Sequence, residues 1–392
     1  MIQLQEHRKP HPFSLFNLGF RPFFLGGALA AALLLVSWLV IFSKGAAIHY
    51  YGSGILWHSH EMLFGFSLAI IAGFLLTAVR NWTNVQTLYS WPLAALFLLW
   101  VAARLMPFVT SLPEHLIAFT DLAFAPMLAV SIAIPIIRSK NYRNLVFAPL
   151  LLGFFIANLL VHLELLGMTE ATAGKGIQLG LFLVIVIISI IGGRVIPFFT
   201  ERGVEGISCK RYEKLEKAII PLSIIWLLLS LLPFTTALAV FSLVLGLANL
   251  VRYFGWFNRA ILAVPLVWIL QLGYLFVPLG LILFGLSQLE LLSQSAAFHA
   301  LAVGAIGNLT LGMMSRVSLG HSGRPLAVNR VMVFAFALML FAAVLRTSID
   351  LLPIPYMAVI HLSGTLWVLA WLLFLVKYTA ILIKPRLDGV YG

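Results

Sequence analysis

The sequence predicts an all-helical protein that crosses a membrane about twelve times, with both termini in the cytoplasm. Of its 392 residues, 62% are apolar and only 10% are charged. A soluble domain cannot cover so much apolar surface with so few polar residues. Apolar runs of about 20 residues, each long enough to cross the hydrocarbon layer, recur along the whole chain. We therefore expect a single transmembrane domain over residues 1–392 and no soluble domain.

The predicted spans follow one another with short connectors that carry Pro, Gly, Asn or charged residues, as turns between spans usually do. No small-residue cleavage site interrupts the first apolar run, so we expect a retained first span after a short cytoplasmic segment, 1–22, and not a signal peptide. The twelve segments lie near 24–43, 58–79, 91–106, 115–136, 145–166, 176–200, 217–233, 235–252, 264–287, 296–315, 328–346 and 354–382.

The basic residues predict the orientation of these spans. With both termini inside, the outer connectors and span ends carry only Lys44, Arg104, Lys175 and Arg346. Every other Lys and Arg lies on the inner side, with Arg194 near the inner end of the sixth span. Such an imbalance predicts an even number of spans with the N-terminus inside. A charged inner connector, 201–217, divides the chain into six plus six spans.

Charge and cysteine content narrow the possible partners and cofactors. The net charge of +12 is scattered over short loops, so topology explains it and we expect membrane lipid, not nucleic acid, as the contact surface. Cys209 is the one cysteine. An internal disulfide and a CxxCH haem attachment site are both excluded. Any haem would be bound non-covalently, as in b-type proteins.

Five histidines from four spans share the predicted outer half of the membrane: His58, His60, His162, His299 and His361. A single histidine at a span end is more often a hydrogen-bonded interfacial residue than a ligand. Five together favour a site, because ionisable groups in a membrane are costly. Imidazole suits iron, copper and zinc, and bundles build metal centres from several helices. We therefore predict a nitrogen-ligated metal or haem near the outer face.

The motif "WHSHEMLFGF" carries a geometric constraint. On a regular helix His58 and His60 point roughly 200° apart, so they do not share one metal as neighbours. Either the helix begins after His58, or the two rings serve different centres. Glu61 has two candidate roles, as the hydrogen-bond acceptor that orients a ligand histidine or as a cap on the helix start.

Four further polar residues are candidates for supporting roles. Asn158 lies one helical turn before His162 and is expected to reach the same site. Asp121 lies in the outer half, where Arg104 or Arg346 is available as an ion-pair partner. Arg194 and Arg316 lie near the inner ends, where they serve as membrane anchors or, if haem is present, face a propionate.

Small residues form two stripes at helical spacing. Close packing of neighbouring helices is the first explanation for such stripes, and room for a flat macrocycle is the second. The stripes consist of Gly65, Ala69 and Gly73 in one span and Ala300, Gly304 and Gly307 in another.

Four motifs in order resemble the NnrS family: "LGFRPFFLGG" at 18–27, "WHSHEMLFGF" at 57–66, "GGRVIPFFTERG" at 192–203 and "AFHALAVGAIGNLTLGMMSRVSLGHSGRPL" at 297–326. The resemblance implies a bacterial inner-membrane protein that contains haem and copper and is linked to nitric oxide and nitrosative stress. It places His58, His60, Glu61 and His299 in motifs, together with Arg194, Arg316 and His321. The resemblance also implies that relatives often carry histidine where this chain has Gln271, so it does not transfer a full ligand set.

Three hypotheses follow for the function. The first is a haem–copper protein that binds nitric oxide and acts against nitrosative stress. The alternative is a twelve-helix transporter with a polar His, Glu and Asp cavity at the outer side. The third is an oxidoreductase that receives electrons from quinol or another donor and consumes nitric oxide.

Overall fold

A computed structural model describes residues 13–392, and all regular secondary structure in this range is helical. Twelve long helices match the twelve predicted segments one for one, which confirms the all-helical, multi-pass fold. Their bounds are α1 Phe20–Ser43, α2 Gly54–Thr83, α3 Ser90–Leu105, α4 Glu114–Arg138, α5 Phe147–Leu165, α6 Ala173–Gly203, α7 Glu213–Leu229, α8 Thr235–Trp256, α9 Pro265–Gln288, α10 Gln294–His321, α11 Arg330–Thr347 and α12 Tyr356–Ile383.

The helix bounds differ from the predicted segments by a few residues, and two of these differences change predicted connectors. The first helix begins at Phe20, inside the predicted N-terminal segment 1–22, of which residues 1–12 lie outside the described part. Arg21 is therefore a buried residue of the first helical turn and not a loop cation. The connector after α6 is shorter than 201–217, because α6 continues to Gly203 and α7 starts at Glu213, where two acidic residues suit a helix N-terminus.

Eleven of the twelve helices are long and apolar enough to cross a membrane. The exception is α7, which has 17 residues and spans about 26 Å. Asn81 Nδ2 at the end of α2 lies 3.5 Å from His321 Nε2 at the end of α10. The His321 ring also contacts the Phe20 ring, with 5.8 Å between the ring centroids. Asn81, His321 and Phe20 all belong to unit 1, so these helix ends lie at the same end of that unit.

The start of α1 and the end of α12 lie at the same end of the chain's first unit. The Arg21 guanidinium donates to the carbonyl oxygens of Leu382 and Lys384, each at 2.8 Å, and of Gly392 at 2.7 Å. The cytoplasmic assignment of that end stays a prediction from the positive residues.

The chain divides into two compact units. Unit 1 contains the described residues up to Gly180, together with Arg316–Leu326 and Phe374–Gly392. Unit 2 contains Leu181–Ser315 and Ala327–Leu373. The prediction of one domain with two six-helix halves stays a prediction.

A buried arginine organises the inner part of unit 2. Arg252 on α8 donates to both carboxylate oxygens of Glu216 on α7, at 2.8 and 2.6 Å, and to the Tyr274 hydroxyl on α9 at 2.9 Å. A methyl group on Gly193 of α6 would overlap the guanidinium, so only glycine leaves space for it. The motif "GGRVIPFFTERG" thus has a packing role, which ties the short α7 to its neighbours.

We expect Gly193→Ala to displace Arg252 from Glu216 and to lower the free energy of unfolding by about 2–3 kcal/mol. The matched control is Gly174→Ala on the same helix, where an added methyl group meets nothing within 4 Å. Thermal unfolding of the detergent-purified variants measures the difference. Equal melting temperatures for the two variants would contradict this role of Gly193.

Candidate metal centre

Four helix ends of unit 1 bring polar side chains together at the predicted outer side. α2 and α4 begin there, and α3 and α5 end there, because consecutive spans run in opposite directions. His60 lies early in α2, Asp121 early in α4, Arg104 at the end of α3 and His162 at the end of α5. α4 packs against the other three helices, which places Asp121 at the centre of the group.

His60, Asp121 and His162 have the spacing of a metal site. One ligand atom from each lies within 4.8 Å of the others, and all three residues are buried. The Asp121 Oδ2 atom lies 3.0 Å from His60 Nε2 and 3.0 Å from His162 Nε2. Asn158 supports the carboxylate, since its Nδ2 donates to Oδ2 at 3.0 Å while its Oδ1 faces His60 Nε2 at 2.8 Å.

Arg104 connects two buried carboxylates. Its Nη1 donates to Glu61 Oε1 at 2.7 Å, and its Nη2 pairs with Asp121 Oδ1. The side chain of Arg104 is 7% exposed, and those of Glu61 and Asp121 are 1% and 5% exposed. Unpaired charges at this depth cost several kcal/mol each, so the guanidinium holds both acids in place.

The charges of this cluster do not balance with the arginine alone. Glu61 and Asp121 contribute two negative charges and Arg104 one positive charge. Both nitrogens of His60 face acceptors: Nδ1 lies 3.2 Å from Glu61 Oε1, and Nε2 faces Asp121 and Asn158. A protonated His60 satisfies these contacts and neutralises the cluster. A bound cation that uses His60 Nε2 as a ligand would neutralise it in the same way.

Two tyrosines lie in the loop between α1 and α2. Each forms a hydrogen bond with one of the two histidine rings, through the nitrogen that does not face Asp121. The Tyr50 hydroxyl lies 2.7 Å from His162 Nδ1, and the Tyr51 hydroxyl lies 3.0 Å from His60 Nδ1. Burial raises the pKa of both phenols above the ordinary value, so both remain protonated at neutral pH. A phenol hydroxyl both donates and accepts hydrogen bonds, so it can accept one from Nδ1–H. The lone pair of Nε2 is then available to a metal.

The donor set fits a metal ion. Two imidazoles and one carboxylate suit copper, zinc or non-haem iron, and metal-bound histidines normally hydrogen-bond through the other ring nitrogen. Glu61 Oε2 is buried and has no hydrogen-bond partner among the described residues, which adds an unsatisfied negative oxygen beside the group. The remaining negative charge favours a cation over a neutral ligand.

The structure decides between the two arrangements considered for His58 and His60 in the motif "WHSHEMLFGF". α2 begins at Gly54, where the Ser53 hydroxyl caps it, so both histidines are helical and a helix start after His58 is wrong. The His60 ring enters the cluster, and the His58 ring stacks on Trp38 with 4.2 Å between centroids. Glu61 is a partner of His60 and Arg104, as the first of its two candidate roles requires.

The remaining predicted site residues lie outside this cluster. His299, His361 and Arg194 belong to unit 2, and the His361 side chain is exposed. Arg316 belongs to unit 1 and is buried in α10. Their predicted roles as ligands or propionate partners stay predictions.

The small-residue stripes are packing surfaces. Added methyl groups at Gly73 would approach Phe24 at 2.9 Å, those at Gly304 would overlap Phe276, and those at Gly307 would approach Trp367 at 2.5 Å. Aromatic side chains of neighbouring helices therefore fill the space along α2 and α10. These contacts support the first explanation of the stripes, the close packing of neighbouring helices.

Sequence reasoning did not find Tyr50 and Tyr51. They lie in a loop, outside any periodic segment, and only the structure brings them to the histidines. The adjacent letters "HYYGSG" carried a weak signal, since tyrosines next to a histidine-rich helix start are suited to hydrogen-bond buried imidazoles.

A comparison with known protein families gives a match over nearly the whole chain. The sequence model of the family described as "NnrS protein" matches residues 14–386. The chain belongs to the NnrS family. A search of curated proteins gives no match. NnrS membership points to a bacterial membrane protein associated with haem or metal binding and with the response to nitric oxide, and the cluster around Asp121 is a possible metal site in such a protein.

We expect Arg104→Met to lower the free energy of unfolding of chelator-treated protein by about 3–5 kcal/mol, because Glu61 and Asp121 lose their counter-charge. Arg211→Met is the matched control, since its ion pair with Glu201 is far more exposed and contributes about 0–1 kcal/mol. Denaturant titration of the purified variants measures both changes. A similar decrease in the free energy of unfolding in both variants would contradict the stabilising role of the Arg104 ion pairs.

Proposed function

We propose that this chain is an inner-membrane haem–copper protein that acts in the response to nitric oxide, and that its copper is held by His60, His162 and Asp121. The observation that carries the proposal is the buried group of two imidazoles and a carboxylate beside an arginine that leaves one negative charge uncompensated. Family membership supports the choice of haem and copper among the cofactors that such donors accept.

The cofactors and the protein have distinct tasks in this proposal. When bound, haem iron would supply a binding position for a diatomic ligand such as nitric oxide, and copper would supply a redox-active cation. Arg104 fixes Asp121 and Glu61, and Asn158 orients the Asp121 carboxylate toward the two rings. Tyr50 and Tyr51 set the rotation of the rings, so that both Nε2 atoms point toward Asp121 Oδ2.

Purified protein tests the proposal directly. We expect a Soret band and bound copper in the native protein. A protein without either would contradict the proposal and favour the transporter alternative. Uptake of a labelled substrate into proteoliposomes would test that alternative. Sustained nitric oxide consumption with a quinol or another reductant would identify turnover, whereas stoichiometric binding alone would indicate sensing or storage.

Variants of the three donors test the copper assignment. His60→Ala, His162→Ala and Asp121→Ala are expected to lose bound copper, because each removes one ligand atom of the group. His115→Ala on α4 is the control, since that side chain is exposed and outside the cluster. Elemental analysis of the purified variants measures the copper-to-protein ratio. A full copper content in all three donor variants would reject the site.

The tyrosines give a graded test of the same site. We expect Tyr50→Phe and Tyr51→Phe to weaken copper affinity by about 10–100-fold, because the partners that orient ligand histidines affect affinity to this extent. Tyr142→Phe is the control, with a side chain that is 61% exposed. Competition with a copper chelator measures the Kd. An unchanged Kd in both loop variants would exclude an orienting role for these hydroxyls.

A further inference from the structure

The described residues contain two π-helical segments, and each begins directly after a motif histidine. Glu61–Ser67 follows His60 in α2, and Ala300–Gly307 follows His299 in α10. A π-helical stretch has a wider turn and poorer packing than an α-helix, and in proteins it often occurs at functional sites. Its placement after the same residue type in two helices points to a shared role for the two histidines.

The two helices share further features around that junction. Ser53 and Ser293 cap the starts, where their hydroxyls accept from the amide nitrogens of Leu56 and Ala296 at 3.4 and 3.2 Å. A short helical stretch of 7 or 6 residues then ends at the histidine.

In both π-helical segments a polar side chain at or just after the C-terminal end donates to a backbone carbonyl group of the same segment. Ser67 donates to the Met62 carbonyl at 2.7 Å, and Asn308 donates to the Gly304 carbonyl at 2.8 Å and to the Val303 carbonyl at 3.3 Å. His299 of unit 2 therefore occupies the local position that His60 occupies in unit 1.

The His299 ring has the hydrogen bond of a metal-ligating imidazole. Its Nδ1 lies 2.7 Å from the Ser295 carbonyl oxygen. A carbonyl oxygen only accepts, so Nδ1 carries the proton and Nε2 carries the lone pair. Metal-bound histidines commonly have this arrangement, in which a backbone carbonyl fixes the tautomer and the ring direction.

The charge beside His299 is opposite to the charge beside His60. Arg346 is 6% exposed, and its Nη2 donates to the Ser295 hydroxyl at 3.3 Å. Its Nη1 is buried without a hydrogen-bond partner among the described residues. The buried carboxylates of the described chain are Glu61 and Asp121, and both belong to unit 1. Asp350, the nearest acid in sequence to Arg346, is exposed and accepts from Ser293.

These opposite charges distinguish the metal species that each histidine accepts. A bare metal cation fits beside Asp121 and Glu61. Next to Arg346, whose neighbouring acid Asp350 is exposed, it would add a second positive charge without a buried carboxylate to balance it. A metal that arrives in an anionic macrocycle suits the Arg346 environment, because the tetrapyrrole and its propionates bring the negative charge.

We propose that His299 is the iron ligand of haem in this chain and that Arg346 pairs with an anionic group of the same cofactor, whereas the His60 group binds the bare copper ion. This assignment rests on the proposed haem–copper function and specifies which histidine serves which cofactor. It uses His299, Ser295 and Arg346 of unit 2 and is independent of the ligand atoms in unit 1.

The test compares haem and copper contents in full-length protein purified with both cofactors. We expect His299→Gly to lose the Soret band and retain copper, and added imidazole to restore the band. His60→Ala should show the reverse pattern, with copper lost and the Soret band retained. Arg346→Gln should lower haem affinity by about 10–100-fold, as expected for a group that supports the cofactor, while Arg346→Lys should lose less.

Each outcome decides a different claim. A native protein without haem would overturn both the proposed function and this assignment. A native protein with haem and copper, whose His299→Gly variant keeps its Soret band or loses copper instead, would overturn the assignment alone. Monodisperse elution in size-exclusion chromatography shows that each variant is folded, and imidazole rescue separates ligand loss from misfolding. A folded His299→Gly variant that regains no Soret band with imidazole would also count against the assignment.

Discussion

The double ion pair of Arg104 with Glu61 and Asp121 is the interaction on which the outer part of unit 1 depends. Two carboxylates buried at the ends of membrane spans would repel each other and lack solvation. The guanidinium reaches both at once, so it joins α3 to α2 and α4. It compensates only one of the two negative charges, and the second positive charge must come from His60 or from a bound cation.

This charge requirement connects the fold to the function. The four helix ends converge because antiparallel spans alternate, and the convergence places His162 opposite His60 across Asp121. Tyr50 and Tyr51 then close the cluster from the loop side and leave the Nε2 atoms directed inward. The site is thus a buried group of donors whose net charge favours a cation, and family membership provides the context of haem, metal and nitric oxide.

The sequence predicted the scaffold and part of the site because both follow from simple regularities. Span length and hydropathy located twelve helices, and the angle of about 100° per residue separated His58 from His60. Depth in the membrane predicted that Asp121 would pair with Arg104 or Arg346, and the pair with Arg104 is present. Helical spacing predicted that Asn158 would reach the site of His162, and Asn158 donates to Asp121 there. The tyrosines were not predictable, because loop conformation has no periodic pattern. The π-helical segments were missed for the same reason, since one extra residue per turn leaves no mark in hydropathy.

Anomalous diffraction at the copper absorption edge, on crystals of the copper-loaded protein, tests the central claim most directly. The account predicts a peak bounded by the Nε2 atoms of His60 and His162 and by an oxygen of Asp121. Copper at another position, with these three side chains still hydrogen-bonded to one another, would contradict it.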